Sequence, residues 1–149
     1  MRQKELVELT NLCMIYDGDR VLVEEKILSD SSGIIFPGGH VEPGEDFSDA
    51  VIREMKEETG LTIKHPRLVG IKDWIRNDGS RYLVTLYKTN EFDGNIRSSS
   101  EGRIFWVKIS DLPKLDLIWY MDQMLKIFID EAYSELSLGK APDYKPVLK

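Results

Sequence analysis

From Gly39 to Leu61 the chain reads GHVEPGEDFSDAVIREMKEETGL, and this stretch decides both fold and chemistry. The pattern turns helical at Phe47. Asp46 stands where an N-cap belongs, Asp46 and Asp49 put negative charge near the positive end of a helix dipole, and Gly60 sits where a C′ glycine stops a helix. A helix over about Phe47–Thr59 is predicted. At ~100° per residue, Phe47, Ala50, Val51, Glu54, Glu57 and Glu58 fall within an arc of roughly 120°. The inward stripe begins apolar and ends as three carboxylates.

Taken alone, those glutamates read as ordinary solvated charges, since 31% of the chain is charged. Turned inward they repel one another, and each carboxylate costs several kcal/mol to desolvate unpaired. Arg53, about 100° from Glu54 around the helix, cannot neutralise all three. An all-oxygen donor set with no His or Cys cluster beside it suits a hard cation, Mg²⁺ first and Mn²⁺ second.

The spacing adds a second argument. Gly39, Glu45, Arg53, Glu54, Met55, Glu57, Glu58, Gly60 and Leu61 meet every specified position of G-x5-E-x7-R-E-U-x-E-E-x-G-U, with U a bulky aliphatic residue. This is the Nudix box, and the chain resembles a Nudix hydrolase. Phe36-Pro37-Gly38-Gly39 precedes the box as in MutT-like members, and Glu101 stands five residues before Trp106, where many of them carry a further acidic ligand. The resemblance implies a mixed α/β fold (α+β), the Nudix α/β/α sandwich with its mixed sheet between helices. It further implies a metal site of Glu54, Glu57, Glu58, Glu101 and the Gly38 carbonyl, with Arg53 and Glu45 orienting the acidic side chains and Glu54 or Glu101 activating water. Phe36 matches a base-pocket position. Asp116 falls where MutT has an asparagine that reads the purine edge, with an N-cap of the last helix as the alternative. Lys26 is a candidate contact for a triphosphate, or a solvated strand end.

Length and composition agree. A chain of 149 residues, 42% hydrophobic, suits one domain, expected over 1–138 with a mobile tail from 139 to 149. The opening MRQKELVELT has no apolar leader-like run and no stretch approaches ~18 apolar residues, so a cytoplasmic protein with no membrane contact is expected. Cys13, the single cysteine, reads as a buried thiol. A net charge of −6 without a basic stripe argues against a nucleic-acid polymer, yet permits a small nucleotide whose phosphates are bridged to protein carboxylates by metal.

Elsewhere, Leu6–Tyr16 and Arg20–Lys26 read as a hairpin around Asp17-Gly18-Asp19, and Leu28–Gly33 as a loop. Arg67–Ile75 and Arg81–Asn90 form a second hairpin, and Arg103–Lys108 another strand. Leu117, Met121, Met124, Leu125, Phe128 and Ala132 recur at helical spacing. His65 before Pro66 reads as a turn, and His40 as a loop residue or a phosphate contact. No P-loop or G-x-G-x-x-G motif is present.

The expected activity is metal-dependent hydrolysis of a nucleoside triphosphate, including an oxidised purine such as 8-oxo-dGTP, to monophosphate and pyrophosphate, by a monomer or homodimer. The alternative is another nucleoside diphosphate derivative, such as ADP-ribose or a dinucleoside polyphosphate. A non-catalytic sensing module is a third reading, but such modules usually lose box glutamates and here all are present.

Overall fold

The computed structural model describes residues 1–149. Strand β1 (Val7–Asp17) turns through Gly18 into β2 (Arg20–Ile27), followed by β3 (Ser32–Ile35), β4 (Gly38–His40) and helix α1 (Phe47–Thr59). Next come β5 (Thr62–Lys64), the hairpin β6 (Arg67–Ile75) and β7 (Arg81–Thr89), then β8 (Glu91–Asp93) and β9 (Gly102–Lys108). A 3-10 turn at Ile109–Lys114 leads to α2 (Met121–Ile129), β10 (Glu135–Lys140) and β11 (Val147–Leu148).

The sheet runs in the order β11-β10-β6-β7-β1-β2-β3, with β4 also on β1 and β9 on β2. It is mixed: β1 runs parallel to β7 and β10 parallel to β6, while the hairpins are antiparallel. Each face carries its own core because side chains alternate along a strand. Cys13, Ile15 and Leu22 pack under Val51 and Met55 of α1, whereas Met14, Val21 and Val23 pack on the opposite face with Met121, Met124 and Phe128 of α2. Burial pushes the Cys13 thiol pKa far up, leaving it an inert core residue. The helices thus cover both sides of one sheet. No helix is long and apolar enough to cross a membrane.

Helix α1 has the limits its sequence predicts. Asp46 is extended and its carbonyl accepts from Ala50 N at 2.9 Å, but its side chain makes no cap bond. Gly60 ends the helix at φ 85°, a conformation that costs a residue with a Cβ roughly 1–2 kcal/mol. Phe47 stays 41% exposed, so the apolar stripe begins one turn later, at Ala50.

Three expectations are corrected. The closing helix covers only Met121–Ile129, because Trp119 and Tyr120 both take positive φ and Leu117 bridges to Ile34 of β3. At its other end Asp130 turns extended and its carboxylate accepts from Ala132 N. The Leu28–Gly33 loop gives its last two residues to β3, paired with Lys26 and Ile27. The segment 139–149, expected to be mobile, is tied to the sheet: β10 runs to Lys140 beside β6, and Val147 and Leu148 pair with Ser137 and Leu136.

Candidate active site

Strand β1 is the pivot of the site. It meets β2 only near the hairpin turn, at Tyr16–Val21 and Asp17–Arg20, whereas its other half pairs with β4 through Thr10, Asn11 and Leu12. The two arms of the sheet part there, and a cleft of about 960 Å³ opens beside the divergence. Glu54, Glu57 and Glu58 line one end, with Gly38 and Gly39 of β4, Lys26 of β2 and Glu101 from the loop before β9.

Close backbone approach explains the glycines. A Cβ on Gly38 would lie 1.9 Å from the Asn11 carbonyl oxygen, and one on Gly39 would lie 2.1 Å from the Glu54 carboxyl carbon. Asn11 Oδ1 also accepts from Gly39 N at 3.1 Å, fixing this short strand. Glu54 therefore packs directly on bare backbone, 8% exposed, where any larger residue would expel it.

Arg53 organises the carboxylates around it. Its Nε and Nη2 grip Glu45 at 2.8 and 2.9 Å, its Nη1 donates to Glu54 at 3.0 Å and Glu57 at 3.1 Å, and Nη2 also donates to the His40 carbonyl at 2.9 Å. Its guanidinium holds the Glu45 pKa down at about 2. Glu58 lies outside this network. Desolvation first, then the neighbouring Glu101 and Glu24 carboxylates, push the Glu58 pKa up to about 8. Burial also raises that of Glu54, against the opposing pull of Arg53.

Glu24 is a site residue that the motif reading missed. It lies on β2, 2% exposed, with Oε1 unpartnered, and burial raises its pKa. The alternation that puts Leu22 under α1 puts Glu24 there too. With Glu24, Glu54, Glu58 and Glu101 at one end and Arg53 committed elsewhere, the donor set is oxygen-only and in negative excess. Such a set fits a hard divalent cation.

A pH prediction follows from Glu58. Its folded pKa is raised, so between about 4.5 and about 8 the native state holds a proton that the unfolded chain has released. Metal-free stability should therefore fall as pH rises through that window, and the fall should flatten in Glu58→Gln. Melting temperatures at several pH values in EDTA check this, and an identical profile in the variant would sink the assignment.

Two proposed substrate residues lie off the cleft. Phe36, just after β3, is 0% exposed and packs edge-on to Phe128 at 5.0 Å in the α2-side core. Asp116 lines a separate shallow depression with Glu25, Arg103 and Lys114, and its carbonyl accepts from Ile34 N. It does not cap α2 either, which begins five residues later with Tyr120 at the N-cap position. Lys26 does reach the cleft, near the Trp119 ring at 6.0 Å. The His40 ring is turned to Glu8 at 2.8 Å, and His65 sits at φ 50° in its expected turn.

Aromatic side chains also line the cleft: Trp74, Tyr82, Trp119, Tyr120 and Tyr144. Trp74 and Tyr82 stack at 4.5 Å as cross-strand partners on β6 and β7. Aromatic residues two apart or paired across a hairpin are ordinary strand residues in a sequence; only the register assembles them into a wall.

Comparison with known proteins agrees with this geometry. The NUDIX domain family profile matches residues 9–128. The uncharacterized Nudix hydrolase YvcI of Bacillus subtilis is 33% identical over 117 residues, covering 75% of this chain and 72% of that protein. An ADP-ribose pyrophosphatase of Methanocaldococcus jannaschii is 29% identical over 66% of this chain and 60% of its own length. The mutator MutT protein of Bacillus halodurans superposes with a TM-score of 0.79 at 27% identity, covering 94% of each chain. A matched domain, an intact box and a carboxylate-lined cleft in the MutT-like fold converge: the chain belongs to the Nudix hydrolase family, enzymes that hydrolyse nucleotide derivatives.

Proposed function

We propose that the protein is a Mg²⁺-dependent nucleoside-triphosphate pyrophosphohydrolase that releases nucleoside monophosphate and pyrophosphate, with Mn²⁺ as a substitute ion. The observation that carries this reading is the polarity of the cleft. Its lining combines Glu54, Glu57, Glu58 and Glu101 with Lys26 and with the aromatic rings of Trp74, Tyr82, Trp119 and Tyr120, matching a metal-bound polyphosphate joined to a base.

In this reading Glu54, Glu57, Glu58 and Glu101, with the Gly38 carbonyl, hold the cation. When bound, the ion offsets charge on phosphate oxygens and makes water easier to deprotonate. Glu54 takes the proton from the attacking water. One of its oxygens is held by Arg53 while burial raises its pKa, which suits a fixed base. Lys26 stabilises charge on the phosphates, and Asn11 offers a buried Nδ2 that has no partner. Oxidised-purine selection, expected through Phe36 and Asp116, finds no support at those two residues because neither faces the cleft.

A second reading is a pyrophosphatase of ADP-ribose, favoured by the relative from Methanocaldococcus jannaschii that carries that name. One experiment separates the two. A nucleotide panel with Mg²⁺ in ¹⁸O-water should show triphosphates cleaved to monophosphate and pyrophosphate, with the label in pyrophosphate if water attacks the β-phosphorus. Turnover should vanish in EDTA and return with Mg²⁺ or Mn²⁺. Preferred cleavage of ADP-ribose would replace the first reading with the second, and undiminished turnover in EDTA would remove both.

A further inference from the structure

A lysine is buried in the wall of the cleft, beside aromatic rings and with no carboxylate to balance it. Lys72 of β6 is 4% exposed and belongs to one cross-strand row with Thr10, Val84 and Leu136. Val84 and Leu136 are core residues, so the row is otherwise apolar or capped by a hydroxyl that is already bonded to the Leu83 carbonyl. No acidic oxygen lies within ion-pair distance of Lys72, since the adjacent Asp73 turns to the other face and pairs with Arg81. Desolvation pulls the ammonium pKa down to about 8.

Such a placement needs a reason. A buried ammonium with no counter-charge is costly to desolvate, and a methionine would fill the same row without that cost. An ammonium has three donors, and here one of them meets an acceptor, the Trp119 carbonyl. The other two face the cleft between the Trp74 ring at 5.5 Å and the Tyr120 ring at 6.0 Å. A second observation marks the same place. Trp119 and Tyr120 hold consecutive positive φ values of 55° and 62°, a strained backbone state for non-glycine residues that collects at ligand sites. Lys72 holds the carbonyl of that strained pair, and both rings line the cleft.

The acceptor that completes Lys72 therefore comes from a ligand with a planar apolar body and a carbonyl on its edge. We propose that Lys72 is a specificity residue that donates to the keto oxygen of a bound nucleobase, so that guanine, thymine and uracil are taken over adenine and cytosine. At the equivalent ring position adenine and cytosine carry an amino group, a donor facing a donor. That mismatch leaves the buried ammonium unpaired and disfavours the wrong base as well as rewarding the right one. This inference rests on the nucleotide-hydrolase reading for its kinetics, but its binding test does not require turnover.

The test measures binding and hydrolysis side by side. Quenching of tryptophan fluorescence should report dGMP binding at least tenfold tighter than dAMP, and TMP tighter than dCMP. Deoxyinosine monophosphate, which keeps the 6-keto group and lacks the 2-amino group, should bind like dGMP. In Lys72→Met the keto preference should shrink to threefold or less through weaker binding of the keto members, with the melting temperature unchanged or higher. The kcat/KM ratios for dGTP against dATP should follow the same pattern. Deoxyinosine monophosphate behaving like dAMP would overturn the proposal on the wild-type protein alone. So would equal loss of all four bases, or an unchanged ratio, in a folded Lys72→Met. If keto-selective, Lys72-dependent binding is seen but no triphosphate is hydrolysed, the proposed reaction fails and the role of Lys72 stands.

Discussion

With Glu54 as the proposed base, Glu54→Gln should lower kcat on the nucleotide substrate by about 10²–10⁴-fold, the range expected when a positioned base is lost. The substitution is nearly isosteric, so the space against Gly39, where a Cβ would meet the Glu54 carboxyl carbon at 2.1 Å, stays filled. Arg53 keeps an acceptor, because the amide oxygen can take the bond now made to Glu54 Oε1 at 3.0 Å. What disappears is the negative charge and the ability to take a proton. The metal-free protein should not lose stability, since Glu54 sits 8% exposed among like charges and burial already raises its pKa. The same change at Glu101 should cost less, because Glu101 is an exposed loop residue. Steady-state kinetics with thermal unfolding in EDTA check this. If Glu101→Gln abolishes turnover while Glu54→Gln keeps a tenth of it, the base is Glu101. If Glu54→Gln unfolds the protein, its carboxylate is structural.

How much of this was legible in the sequence depends on whether local or cross-strand information carried it. Helix α1 was readable because its stop signal and its carboxylate spacing are local, and Gly60 does take the left-handed conformation expected of it. The acidic end of the cleft followed from the same spacing. Phe36 was read through its neighbours Pro37 and Gly38, whereas the chain leaving β3 carries it into the same core as Ile34 and Ile35. The start of α2 was misplaced for a related reason: Leu117 fits the helical period, but the positive φ of Trp119 and Tyr120 breaks it. Glu24 was within reach of a period-two argument, since it follows Leu22 on the buried face. Lys72 was not. A lysine in a strand is ordinarily solvated, and only the pairing Thr10–Val84–Lys72–Leu136 reveals the apolar row around it. The tail pairing of Val147 with Ser137 is likewise a contact that no local pattern announces.

Arg53→Ala should remove both activity and stability, and the two losses should respond differently to metal. Arg53 is 26% exposed at its side chain and makes five hydrogen bonds that tie Glu45, Glu54, Glu57 and the His40 carbonyl together. Truncation leaves Glu45, Glu54 and Glu57 without their shared cation. Discounted for partial exposure, the cost should be about 1–3 kcal/mol, or several degrees in Tm for a chain of this size. Turnover should fall further than this, because Glu54 loses the bond that fixes its orientation and a small displacement of a base is expensive. Arg53→Lys should recover little, since a lysine cannot grip Glu45 through two nitrogens and still donate to Glu54. Mg²⁺ should restore part of the lost Tm by supplying positive charge to the same carboxylates, without restoring turnover. Equal Tm losses with and without Mg²⁺, together with normal kcat, would show that Arg53 braces the fold and leaves the chemistry untouched.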